Sequence, residues 1–146
     1  MGLYEKRILK KFQAVFNSTS SQKLSSIGGL GFKIEDDWDA ISKEFQTRDP
    51  SVDRFTIDVL ERYFENAFIN PVTTALTSVS ADEMGKSALK QALKTIRFTT
   101  DGSNVGSEEC YKFNDAILVV NMSMAIDTSQ SDHMGNYLTK MLEKSL

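Results

Sequence analysis

Apolar and polar residues alternate most strictly toward the end of the chain. Leu118, Val120, Met122, Met124 and Ile126 fall at every second position, with Asn121, Ser123 and Asp127 at alternate ones. A period of two sends successive side chains to opposite faces, so the pattern predicts a long strand over 116–126 with one buried face. A shorter strand begins at Tyr111, and Asn114-Asp115 is the expected tight turn between the two. Beyond the turn Asp127-Thr128-Ser129, Met134, Leu138, Met141 and Leu142 recur at helical spacing, with Lys140 and Lys144 where a cation complements the dipole. This closing helix is expected to cover the sheet.

Earlier in the chain the period is helical. Tyr4, Ile8, Phe12, Val15 and Phe16 make one apolar side of a helix over 3–16, and the Ser/Thr-rich stretch 17–26 before Gly28-Gly29-Leu30-Gly31 reads as a flexible connection. Phe32 to Ile34 is the one candidate for a fourth strand. Trp38, Ile41 and Phe45 predict a short helix capped by Asp36 or Asp37 and broken at Pro50. Phe55, Val59, Leu60, Tyr63, Phe64, Ala67 and Phe68 predict a broad apolar helix that Asn70-Pro71 ends, with a short helix to follow through Val79. Ser80-Ala81-Asp82-Glu83 has the capping-box pattern, and Met84, Leu89, Ala92, Leu93 and Ile96 follow as its apolar stripe. Ile96 and Phe98 then alternate with Arg97 and Thr99 as a strand, and Asp101 to Cys110 is an exposed loop. Together these elements predict an α+β fold: a helix-rich amino-terminal part packed on a small antiparallel sheet of three or four strands, with a C-terminal covering helix.

Composition changes this picture little. A chain of 146 residues, 40% hydrophobic and 25% charged, is expected to fold as one soluble domain over 1–146. No apolar run approaches the roughly 20 residues of a membrane span, and charges at Glu5, Lys6, Arg7, Lys10 and Lys11 interrupt any signal-like segment. The single cysteine, Cys110, rules out an internal disulfide and suits a reducing compartment, so the expected location is the cytoplasm. A net charge of -3 favours neutral or basic partners over nucleic acid.

Candidate chemistry is sparse. One His and one Cys fall short of a zinc pattern. The loop from Asp101 begins like a calcium site but has Val105 at the fifth position and Lys112 at the twelfth, where a bidentate Glu is required. Cys110 with His133 would make a thiolate and base only if the fold joined them, and a buried thiol and surface imidazole are the commoner arrangement. The glycines at 28–31 complete no phosphate-loop motif and read as a turn. Nothing here makes a positive case for an enzyme, and no cofactor or metal is expected. Lys86, Lys90 and Lys94, with Arg97 close by, form a basic stripe that an anionic ligand would suit; a solvated face is the weightier reading, and nucleic acid is not expected there. The run Glu35-Asp36-Asp37-Trp38-Asp39 holds more carboxylates than one helix cap needs.

In its size, acidity and α+β build the chain resembles the bacterial immunity proteins of toxin–immunity systems, including those of contact-dependent inhibition, with Glu35 to Asp39 the residues that suggest it most. The resemblance implies a non-catalytic protein that binds and neutralises a basic protein partner such as a nuclease toxin domain. The expected partner-binding residues are Glu35, Asp36, Asp37 and Asp39, with Asp101, Glu108 and Glu109 of the later acidic loop. Two other classes stay open: an anionic-ligand or nucleic-acid binding module on the basic stripe, and a small enzyme whose site only the fold assembles.

Overall fold

The computed structural model describes residues 3–25, 27, 29–47, 64–101, 108–122 and 131–146. In chain order these form α1 (Leu3–Ser25), β1 (Lys33–Asp36), α2 (Trp38–Thr47), a π-helical segment (Glu65–Ile69) that runs into α3 (Asn70–Val79), and α4 (Glu83–Ala92). There follow β2 (Thr95–Thr99), one turn of 3-10 helix (Glu108–Cys110), β3 (Tyr111–Asn114), β4 (Ile117–Asn121) and α5 (Ser131–Ser145). The α+β class holds, with four strands in the order β1-β2-β4-β3. The sheet is mixed, however, and not the antiparallel one expected: β1 and β2 pair in parallel, as do β2 and β4, and only β3 and β4 are antiparallel. Helices carry the chain from β1 back to β2, which makes that pair parallel, and the hairpin then lays its second strand between β2 and the outer β3. The apolar run Ile117 to Val120, half of it β-branched valine, suits the interior position better than the half-polar β3, because a central strand is paired along both edges.

Register fixes the two faces. Ile34, Ile96, Leu118 and Phe113 lie in one row and Phe98, Val120 and Tyr111 in the next, all on the side that the helices cover. Leu118, Val120 and Met122 are buried as the alternation predicts; Met124 and Ile126 lie outside the described residues. The hairpin turn sits one residue later than expected, at Asp115 and Ala116, whose φ values are 52° and 66°. Two left-handed residues match the right-handed twist of the strands, but Ala pays a steric cost there that Asp or Gly largely avoids. The Ala116 carbonyl accepts hydrogen bonds from Lys94 N (2.9 Å) and Thr95 N (3.2 Å), which hold the strained turn against the start of β2.

The helical layer departs from the sequence pattern in three places. First, α1 continues to Ser25, across the stretch expected to be a flexible connection. Once nucleated, a helix adds a hydrogen bond for each residue it fixes, so serines of modest propensity are carried along, and the buried Leu24 with the Lys23–Glu65 ion pair anchors the last turn. Second, Pro71 does not end the helix before it. Asn70 N–H donates back five residues to Glu65 O, and this wider π turn accommodates a proline whose ring would otherwise press on the carbonyl four residues earlier. Third, the cap of α4 is Asp82, which accepts from Gly85 N at 2.7 Å, whereas Ser80 donates to Leu76 O at 2.6 Å and closes α3.

Phe12 of α1 stacks on Phe64 at 4.7 Å between ring centroids, Phe64 on Phe68 at 5.1 Å, and Phe68 meets Phe98 of β2 edge-on at 5.6 Å. Trp38 of α2 leans on Phe12 and Phe64. This file of rings joins the helical layer to the sheet. The earlier part of the expected aromatic helix, with Phe55, Val59, Leu60 and Tyr63, lies outside the described residues. The C-terminal α5 buries Met134, Leu138 and Leu142 chiefly against α3 and touches the sheet at β3. Gly135 lets the two helices approach: a Cβ there would stand 3.0 Å from both Cβ and Cγ2 of Thr74. No helix among the described residues is long and apolar enough to cross a membrane.

Two substitutions test these packing arguments. Ala116→Gly relieves the left-handed strain and is expected to stabilise the protein by about 1 kcal/mol, read by urea titration; unchanged or lower stability would mean that the turn is not strained. Gly135→Ala should destabilise by about 1–3 kcal/mol through overpacking. Adding Thr74→Ala should recover part of that loss, a coupling that two independent sites would not show.

Candidate functional site: the acidic end of the sheet

The run Glu35 to Asp39 crosses from β1 into α2, and the crossing divides its carboxylates into different roles. Asp37 is the helix cap. Its Oδ1 accepts from Ala40 N at 3.3 Å, and its carbonyl accepts from Ile41 N at 3.1 Å. Its Oδ2 accepts from Thr99 Oγ1 at 3.0 Å and from Arg97 Nη2 at 3.3 Å, while its own N–H donates to Phe98 O at 2.9 Å. Burial pushes the Asp37 carboxyl upward, but the hydrogen bonds from Thr99, Ala40 and Arg97 outweigh it and hold the group below its ordinary range. Asp37 is therefore engaged within the fold, with its side chain still partly exposed.

Asp36 is placed differently. Its register partner is the fully buried Phe98, so its side chain lies on the apolar face, and its buried Oδ1 has no hydrogen-bond partner. Desolvation raises its pKa to about 6. Glu35 stands on the opposite, open face in register with Arg97, and Asp39 occupies the first turn of α2, where a negative charge suits the helix dipole; both are exposed.

The later candidates come from distant parts of the chain to the same end of the sheet. Because β1, β2 and β4 run in parallel and β3 against them, the ends of β1, β2 and β4 and the start of β3 lie together. Asp101 follows β2, is exposed, and donates its N–H to Asn121 Oδ1 at 3.0 Å. The backbone of Glu108 and the exposed Glu109 precede β3 in the 3-10 turn. Glu44 of α2 accepts from Thr100 Oγ1 at 2.6 Å beside them. The spread is nonetheless wide: β1 and β3 are three strand spacings apart, roughly 14 Å, so Glu109 and Asp36 cannot share a single small ligand. Residues 102–107 of the calcium-like loop lie outside the described residues. Among the described residues no three His, Cys, Asp or Glu side chains are gathered to hold a metal ion.

The other candidates are accounted for within the fold. Lys94 Nζ donates to Lys90 O at 2.7 Å and Arg97 pairs with Asp37, so two of the four cations of the basic stripe have internal partners. Cys110 is fully buried and His133 exposed. Gly29 and Gly31, with φ of 65° and 74°, shape the turn between α1 and β1. Sequence reasoning missed Thr99, Thr100, Arg97 and Glu44 as partners of this region, since only the register of β1 on β2 brings them within reach. The one signal available was the pair Arg97 and Thr99 on the polar side of a predicted strand. No protein-family model, curated protein or solved structure matches the chain.

Asp36 and Asp37 should respond to pH in opposite senses. A depressed carboxyl contributes stability above its unfolded value of 3.8 that is lost as pH falls; a raised one favours the fold below 3.8 and loses that contribution as pH rises through about 6. Asp36→Asn is therefore expected to raise the melting temperature near neutral pH and to change it little below about pH 4. Asp37→Asn, which can still cap α2 but loses its charge-assisted bonds, should lower stability by about 1–3 kcal/mol near neutrality and by less in acid. Parallel pH profiles for the two variants would refute this division of roles.

Proposed function

We propose that the protein is a non-catalytic binding protein that receives a basic protein partner on the acidic end of its sheet, in the manner of an immunity protein neutralising a toxin domain in the cytoplasm. The observation that carries this reading is that Glu35, Asp36, Asp39, Asp101 and Glu109, from three separated stretches of chain, flank one end of the sheet, while Lys33 and Lys94, with the single carboxylate of Asp115 in the hairpin turn, lie at the other. A surface polarised in this way steers an oppositely charged protein toward one face. A partner spanning roughly 14 Å of sheet would be a protein surface and not a small anion or metabolite. Asp37 acts indirectly, by holding Glu35 and Asp39 outward.

The test uses the product of a neighbouring reading frame that is toxic when expressed alone. Binding should be tight and salt-sensitive. Glu35→Lys with Asp39→Lys should slow association about tenfold or more at low salt and flatten its salt dependence, while stability falls by no more than about 1–2 kcal/mol because Asp37 still caps α2. Association rate and affinity both untouched by the double reversal would overturn the acidic-surface reading.

A further inference from the structure

The edge strand β1 offers more than its charges. Lys33 N–H donates to Lys94 O at 2.9 Å and Asp37 N–H to Phe98 O at 2.9 Å, and the parallel register places Glu35 between them in the same role. In a parallel ladder alternate residues of a strand point their peptide groups at one neighbour, so those of Ile34 and Asp36 point away from β2. Among the described residues β1 has no strand on that side, and no hydrogen bond occupies these outward groups. The same two residues turn their side chains to the apolar face: Ile34 packs on the core, and Asp36 brings a buried carboxylate oxygen without a donor.

We infer that β1 is the docking edge for an extended segment of the partner, which adds as a fifth strand and brings an Arg or Lys to Asp36. This deepens the proposed function and rests on it for the basic character of the partner. An inward-facing charge on an edge ordinarily keeps other strands away, because an added strand would finish desolvating it. Asp36 therefore makes strand addition conditional. An uncharged segment meets an unpaired buried carboxylate, whereas a segment with a cation at the facing position satisfies it and gains the outward main-chain hydrogen bonds of Ile34 and Asp36 as well. Glu35, on the other face of the strand, adds a second acidic contact for the alternate side chain of the same segment.

The test uses three synthetic octapeptides: one of alternating arginine and valine, the same peptide N-methylated at alternate positions on either edge, and one of alternating glutamine and valine. Amide hydrogen exchange of the full chain is followed by NMR. The arginine–valine peptide should protect the amides of Ile34 and Asp36 saturably, N-methylation should weaken binding about tenfold or more by removing main-chain donors, and the glutamine peptide should give no protection. Asp36→Asn should admit the glutamine peptide, an outcome that a merely structural Asp36 would not produce. Failure of the arginine peptide to protect these two amides, or equal binding by its N-methylated form, overturns strand addition. If binding then still disappears in the Glu35→Lys, Asp39→Lys protein, the acidic surface stands without the added strand. Protection that survives that double reversal and extends equally to the glutamine peptide shows an open edge with no charge requirement, and the basic-partner reading falls instead.

Discussion

The carboxylate of Asp37 is the constraint on which the acidic end depends. With one oxygen it caps α2, with the other it accepts from Thr99 and Arg97, and through its N–H it extends the ladder of β1 on β2. Helix and sheet are thereby joined at one residue, so the direction in which α2 leaves the sheet is set. That direction puts Asp39 on the outside, and the register of β1 puts Glu35 on the open face and Asp36 on the apolar one. Hydrogen bonds to an ionised acceptor are stronger than neutral ones, and several on one group give both strength and geometry. Four neighbouring carboxylates with three different environments follow from this one junction.

Much of the architecture was legible because it rests on periodicity. The strands at Thr95 and Ile117, the closing helix and its buried Met134, Leu138 and Leu142 all follow from alternation or from helical spacing. What was not legible is what depends on neighbours. Alternation is the same in parallel and antiparallel sheets, so it could not reveal that β4 enters between β2 and β3. Serine-rich composition at 17–26 pointed to a loop, but burial of Leu24 and the pairing of Lys23 override weak local preference through Ser25. Pro71 signalled a helix end, and a single widened turn allowed the helix to pass it. For the candidate site, the sequence showed the surplus of carboxylates but not which one the fold would consume. That depended on Arg97 and Thr99, about sixty residues away in the chain and adjacent only through strand register.

The aromatic file and the π turn bear on the same end of the molecule from behind. Phe98 is both the last ring of the file and the register partner of Asp36, so the packing that ties the helices to β2 lies on the same face of the sheet as that carboxylate. The widened turn of 65–69 directly follows Phe64 and contains Phe68, and it sets the angular offset with which these two rings stack and reach Phe98. A helix without the π turn would rotate Phe68 relative to Phe64, since the extra residue changes the angular spacing along the axis.

An unpaired buried carboxylate is costly unless something compensates, and the fold contains donors that could have supplied compensation. Arg97 and Thr99 are spent on Asp37 because they lie on the open face of β2, whereas Asp36 faces the other way beside Phe98. Arg97 faces Asp37 and not Asp36, since successive residues of β1 point to opposite faces of the sheet. The separation is consequently a property of strand alternation. Among the described residues nothing satisfies the buried Oδ1 of Asp36, and on the proposed reading the edge of β1 is the route by which a second protein would reach it without disturbing the core. On the proposed reading, charge at that position would filter what docks, while the exposed Glu35 and Asp39 would set how often a partner approaches, and the two effects would belong to affinity and to association rate respectively.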